Sequence, residues 1–282
     1  MAAKTTLRRI MRLFGISAKM DLAWLMRDTM YALAGITADM IGNLSVVSGV
    51  LLISVRFGGI GGMSADEVLF MMAYSTLITG LFIVFGASNN IHISRIIGRG
   101  QLEHFFIQPL SLKTQLITYG FCPFTGGGNL LVGLILLIIA IQRLGLTLSV
   151  GWILALSGHL LTTMVIIVAR SYLASTLAFY APVAAEEISS TVIEGTWLLS
   201  TFPLSGMPAA LQVPLLTILP EGLMAWFPAL SLLGKPPLGW SAAYPMLFAL
   251  ILTLITSYFF RKGLNYYVRK GSNRYVPYGF RR

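Results

Sequence analysis

The chain has 282 residues, of which 56% are hydrophobic and only 11% charged, with a formal net charge of +10. Soluble domains carry about a quarter of charged residues, so this composition excludes an ordinary soluble enzyme and describes a polytopic membrane protein whose basic excess serves anionic lipid rather than nucleic acid. The single cysteine, Cys122, excludes an internal disulfide and a multi-cysteine metal site.

Backbone groups in lipid must satisfy one another, and the apolar runs here are continuous blocks rather than short alternating strands. The spans are therefore helices. No apolar core with a small-residue cleavage site opens the chain, so no cleavable signal peptide is expected. Over 1–28, Arg8, Arg9, Arg12 and Lys19 fall on one helical side and Leu7, Ile10, Met11 and Phe14 on the other. That pattern predicts a cytoplasmic helix lying in the membrane interface, with Gly15 as its expected break.

Six spans follow at about 30–54, 67–91, 114–141, 149–173, 187–204 and 242–260, each near the ~20 residues that cross a hydrocarbon core. Lys and Arg concentrate in the N-terminal arm, in the loop 92–113 (Arg95, Arg99, Lys113) and in the tail 261–282. The opposite loops hold Arg56, Arg143 and Lys235, so the positive-inside rule places both termini in the cytoplasm. The loop at 181–187, with Glu186 and Glu187 and no basic residue, is the exception.

Within 92–113 runs GRGQLEHFFIQPL, residues 98–110. Gly98 and Gly100 can end the second span, residues 101–108 allow two helical turns, and Pro109 closes them. Phe105, Phe106 and Ile107 then lie below the membrane, either as a knob for a soluble partner or sunk into the headgroups. Residues 203–241 are apolar but carry seven prolines, Pro203, Pro208, Pro214, Pro220, Pro228, Pro236 and Pro237. Short helices that dip into the outer leaflet and return are expected there, with Pro220 and Glu221 in a first turn and Trp226 and Trp240 at the interface.

Ionisable residues inside spans are costly and default to functional candidates. Asp39, Glu194 and Arg170 qualify. Arg170 either snorkels to the cytoplasmic surface or pairs with Asp39 or Glu194 across the bundle. Asn89 and Asn90 are expected to cap the second span, and Gly126, Gly127 and Gly128 to allow a kink or close packing in the third. No GxxxxGK[ST], HExxH or GxSxG occurs, and His92, His104 and His159 are scattered. No nucleotide site, metal centre or catalytic constellation is expected.

The arrangement resembles the ABC-2 type permeases, the membrane subunits of ATP-binding-cassette exporters. A family pattern of the form RxGxLDxxLxxPL is matched by Arg99, Gly100, Leu102, Glu103, Phe106, Pro109 and Leu110, with Glu103 in place of Asp and Phe106 in place of Leu. An aromatic run into a basic GLxxY is matched by FFRKGLNYY at 259–267. The resemblance implies an all-α membrane protein: six transmembrane helices, an N-terminal interfacial helix, a cytoplasmic coupling helix between spans two and three, and re-entrant helices between spans five and six. It implies ATPase coupling through Arg99, Leu102, Glu103, Phe105, Phe106 and Pro109, and a path lined by Asp39, Asn43, Glu194 and Trp197. It also implies two permease subunits, identical or paralogous, each docked on a separate ABC ATPase subunit that uses ATP and Mg, with no cofactor bound by this chain. The expected setting is a bacterial cytoplasmic membrane. A secondary transporter or a membrane scaffold is the alternative reading.

Overall fold

A computed structural model describes residues 2–235 and 237–272. Those residues are helical throughout, apart from turns and two isolated β-bridges. The N-terminal arm forms α1 (Ala2–Arg27), which runs through Gly15 without the expected break. Phe14 of α1 packs edge-on against Phe121 at 4.8 Å, and Asp21 accepts hydrogen bonds from the Phe124 and Thr125 amides at 2.8 and 3.2 Å.

α2 (Thr29–Arg56) and α3 (Ala65–Val84) follow. A capping box starts α3: the Ser64 hydroxyl accepts from the Glu67 amide at 3.3 Å, and the Glu67 carboxylate accepts from the Ser64 amide at 2.9 Å. α3 stops at Phe85 because Gly86 turns left-handed at φ 112. Three short helices, α4 (Ala87–Ile91), α5 (Ile93–Gly98) and α6 (Leu102–Phe106), then lead to α7 (Leu112–Thr118). After an irregular stretch come α8 (Gly128–Leu144), α9 (Val150–Ser175) with a 3-10 turn at Thr176–Phe179, and α10 (Ile188–Trp197). The proline-rich segment holds α11 (Ala209–Thr217) and α12 (Trp226–Leu232), and α13 (Tyr244–Lys270) ends the described chain.

Among the described residues, four helices are long and apolar enough to cross a membrane: Thr29–Arg56, Ala65–Val84, Val150–Phe179 and Tyr244–Lys270. A fifth is reached if Ala209–Thr217 and Pro220–Leu232, bent by 72°, count as one. The expected third span is divided, with α7 separated from the 17-residue α8 by the Gly120–Gly128 stretch, and the expected fifth is the ten-residue α10 plus a 3-10 turn. Gly120, Pro123 and the glycines at 126–127 interrupt the third, and Pro203 follows the 3-10 turn that ends the fifth. The expected tail begins as helix: α13 continues to Lys270, and Arg274, Arg281 and Arg282 lie outside the described residues.

α3 is the axis of the fold, buried along 83% of its apolar stretch, whereas α2 is buried along only 11%. α3 crosses α8 backbone to backbone. A Cβ on Gly80 would sit 2.3 Å from the Leu130 amide nitrogen, and one on Gly133 would sit 2.5 Å from that of Leu77. Small residues at such crossings let van der Waals packing replace the hydrophobic drive that lipid removes. α9 and α13 run side by side in the same direction, with the Thr256 hydroxyl donating to the Ala169 carbonyl at 3.0 Å and the Tyr172 and Phe260 rings 5.3 Å apart.

Charges sort to two ends. One end joins Arg95 to Glu187, Arg99 to Glu186, and the Tyr267 hydroxyl to Glu103. The other joins Lys235 to Glu67 at 2.6 Å and Arg143 to Asp66 at 3.6 Å. The acidic 181–187 loop, with no basic residue of its own, is thus paired with the basic 92–113 loop through Glu186 and Glu187.

The α3–α8 crossing generates a test. Gly80→Ala and Gly133→Ala should each destabilise the protein by about 1–3 kcal/mol, the range for overpacking a tight interface. Gly42→Ala on α2, with nothing within 4 Å, should be neutral. Thermal unfolding in detergent reads all three.

Candidate coupling surface and buried ion pair

The segment 98–110 divides its residues between the core and the surface. Leu102 is fully buried in a small cluster with Ile93, Ile97, Ala178, Phe179 and Tyr267. Phe105 turns inward, contrary to expectation, and meets Tyr119 edge-on at 5.6 Å. The Gln115 amide fixes the turn by donating to the Phe105 and Leu110 carbonyls at 2.8 and 2.9 Å. Phe106, Ile107 and Pro109 remain at the surface, Ile107 with 82% of its area exposed.

The polar members of the segment bind this chain. The Arg99 Nε donates to Glu186 at 2.5 Å, and the Tyr267 hydroxyl donates to Glu103 at 3.4 Å. Arg95 grips Glu187 through Nε at 2.9 Å and a second guanidinium nitrogen at 2.5 Å. That fork holds the Glu187 carboxyl below its ordinary range, and the hydrogen bond to Glu187 raises Arg95 in turn. A carboxylate depressed in this way stays ionised at neutral pH, and the clamp is lost only as pH falls through its lowered value. Close glycines complete the corner. A Cβ on Gly98 would meet the Pro182 carbonyl oxygen at 2.7 Å, and one on Gly263 would meet the Phe179 ring at 2.3 Å.

Within the bundle, Arg170 pairs with Glu221 rather than with Asp39 or Glu194, and it does not snorkel to the near surface. Side chains on a helix lean toward its N-terminus, so Arg170 reaches back along α9 into the bundle. There it meets the 3-10 turn Pro220–Leu223, whose Glu221 is fully buried. The same face of α9 binds the proline-rich segment twice more: the Thr163 hydroxyl donates to the Leu223 carbonyl at 3.4 Å, and His159 Nε2 lies 3.2 Å from the Ser231 hydroxyl.

The four expected path residues lie as two pairs, Asp39 and Asn43 on α2 and Glu194 and Trp197 on α10. The Asn43 side chain donates to the Asp39 carbonyl at 3.2 Å on the open face of α2. Glu194 is exposed on α10 and adds to the negative field at Arg95, while Trp197 stacks on Phe82 at 6.1 Å. Asn89 joins elements rather than capping a span, donating to the Leu116 carbonyl at 2.8 Å, while the Asn90 side chain donates to the Gly86 carbonyl at 3.0 Å, in the turn that follows α3.

Sequence reasoning missed two residues. Asp21, an acidic residue in a basic arm, docks α1 on the loop before α8, and its odd sign was the available signal. Glu221 was assigned to a helix first turn, and nothing local pointed to Arg170 fifty-one positions away.

Breaking a buried pair leaves an uncompensated charge. Arg170→Ala and Glu221→Ala should each cost about 3–5 kcal/mol, and the double variant Arg170→Met, Glu221→Leu should cost less than either. Thermal unfolding of the three purified variants gives the comparison.

A family model described as "ABC-2 family transporter protein" matches residues 44–271. No match is found among curated proteins or among solved structures. The matched span runs from the middle of α2 through the end of α13, and so takes in the 98–110 segment, the ion pair, the second half of α2 and every other long apolar helix. The chain belongs to the ABC-2 transporter family and is a multi-pass membrane component of a transport system.

Proposed function

We propose that this chain is the permease subunit of an ATP-driven exporter. It moves a hydrophobic or amphipathic substrate, lipid-like, drug-like or peptide, across a bacterial cytoplasmic membrane. Two such subunits form the path, and each docks on a separate ABC ATPase subunit that supplies the energy from ATP and Mg.

One observation carries this reading. Phe106, Ile107 and Pro109 stand at the surface, while Leu102, on the same short helix, is locked into the cluster that joins α5, the Thr176–Phe179 turn and α13. A partner that grips the tip therefore moves two long helices. Protein cores switch between discrete packings rather than deforming smoothly, so the corner is a mechanical handle for a two-state bundle. Arg99, Leu102, Glu103 and Phe105 serve by holding the handle, and Phe106 and Pro109 by presenting it.

Six crossings complete the proposal. α8 with its irregular lead-in makes the third, and α10 with its following 3-10 turn the fifth. The 203–241 segment re-enters from the outer leaflet. The basic end, with both termini, faces the cytoplasm. Asp39, Asn43, Glu194 and Trp197 line a path completed by the second subunit, which explains why Asp39 and Glu194 stand exposed in one chain.

Co-purification from native membranes with mass spectrometry tests the partner: an ABC ATPase at about equal stoichiometry is expected. Phe106→Ala should weaken ATPase docking by about tenfold with unchanged thermal stability, as for a central interface anchor. Leu102→Ala should lower stability itself by about 2–5 kcal/mol. Full ATPase stimulation in Phe106→Ala and Ile107→Ala would remove the handle from this segment. A chain that repeatedly purifies and crosslinks without an ATPase would be a secondary transporter or a scaffold.

A further inference from the structure

A groove of about 930 Å³ opens between α9 and α13, with α7 at one end and Phe14 of α1 and Leu81 and Phe85 at the end of α3 also on its wall. Its α9 wall runs from Leu160 to Tyr172, about 18 Å at 1.5 Å per residue, and its α13 wall from Thr253 to Leu264, about 16 Å. Half of a ~30 Å hydrocarbon core is about 15 Å, so the groove has the length of one leaflet. The walls are mostly apolar, with Met164, Val165 and Val168 on α9 and Phe260 and Leu264 on α13.

Its cations lie at one end. Lys113 opens α7 beside Leu112 and Leu116, and Arg261 follows Phe260 on α13. Leu112, Leu116, Tyr172, Phe260 and Leu264 all pack against the small cluster that contains Leu102, which places this end at the Arg95–Arg99 side of the molecule. Both basic side chains are exposed, and neither forms an ion pair among the described residues. A leaflet-long apolar furrow with two unspent cations at its headgroup end has the charge and shape of one ligand class.

We propose that this groove binds an anionic phospholipid of the cytoplasmic leaflet, its acyl chains along α9 and α13 and its phosphate held by Lys113 and Arg261. The leaflet rests on the orientation proposed above. The site itself does not depend on an ATPase, so its failure would leave the exporter reading standing.

Native mass spectrometry of the delipidated full chain, titrated with phosphatidylglycerol or phosphatidylcholine of identical acyl chains, tests it. Phosphatidylglycerol should bind more tightly. The double variant Lys113→Gln, Arg261→Gln should weaken it by about thirtyfold, from the attraction of two basic residues to an anionic headgroup. Lys262→Gln with Lys270→Gln removes the same charge outside the groove and should retain the preference. Leu161→Trp, on the exposed apolar wall, should weaken both lipids. Equal affinity for the two lipids, or an equal loss in the Lys262 and Lys270 double variant, would overturn the proposal. So would a Leu161→Trp protein that loses dimer but keeps lipid, since a second copy would then occupy the groove.

Discussion

The crossing of α3 and α8 sets the depth to which everything else can close. Lipid gives helices no hydrophobic reason to associate, so contact has to come from surfaces that fit. Gly80 and Gly133 face one another's backbones and allow α3 to be enclosed on all sides by α8, α9, α12 and the turns around Leu204 and Leu223. A methyl at either position would part the two helices, and the buried Phe70, Met71 and Tyr74 of α3 would lose their neighbours. Tyr74 then binds the Thr163 hydroxyl at 3.0 Å, which ties the axis to α9.

Charge is handled in three ways. Exposed pairs at the two ends are individually weak, yet they join segments distant in sequence and set which loops share an end. The Arg170–Glu221 pair is different in kind. Each ion is costly to bury, and together they hold the bent proline-rich segment against α9 at a place where neither alone could remain charged. Lys113 and Arg261, which form no ion pair among the described residues, stand exposed.

The corner around Leu102 and Phe179 connects the surface to the bundle. Gly98 brings α5 against the Pro182 carbonyl, and Gly263 brings α13 against Phe179, which meets Tyr267 edge-on at 5.9 Å. The motif at 98–110 and the motif at 259–267, separate in sequence, are two halves of one packed joint. This accounts for the residue types in both: glycine where backbones approach, aromatics where the gap is filled, and Arg99 and Glu103 as its polar rim.

Much of this protein is legible along the chain. Composition determined the membrane class, because an 11% charged sequence has no soluble fold open to it. The apolar runs located α2, α9 and α13, and the prolines correctly forbade a clean span over 203–241. Local pattern could not reveal where an apolar run is interrupted. Gly86 and Gly120 turn left-handed just past the ends of α3 and α7, backbone geometry that hydropathy averages away, so the expected second and third spans came out divided. Nor could it reveal which face of a short helix is inward: Phe105 and Phe106 are adjacent and alike, and only the position of Tyr119 turns one in and leaves the other out. The partner of Arg170 was decided at the same level. Asp39, Glu194 and Glu221 were equal on charge, and the choice fell to the one that the bend between α11 and α12 carries to the buried face of α9.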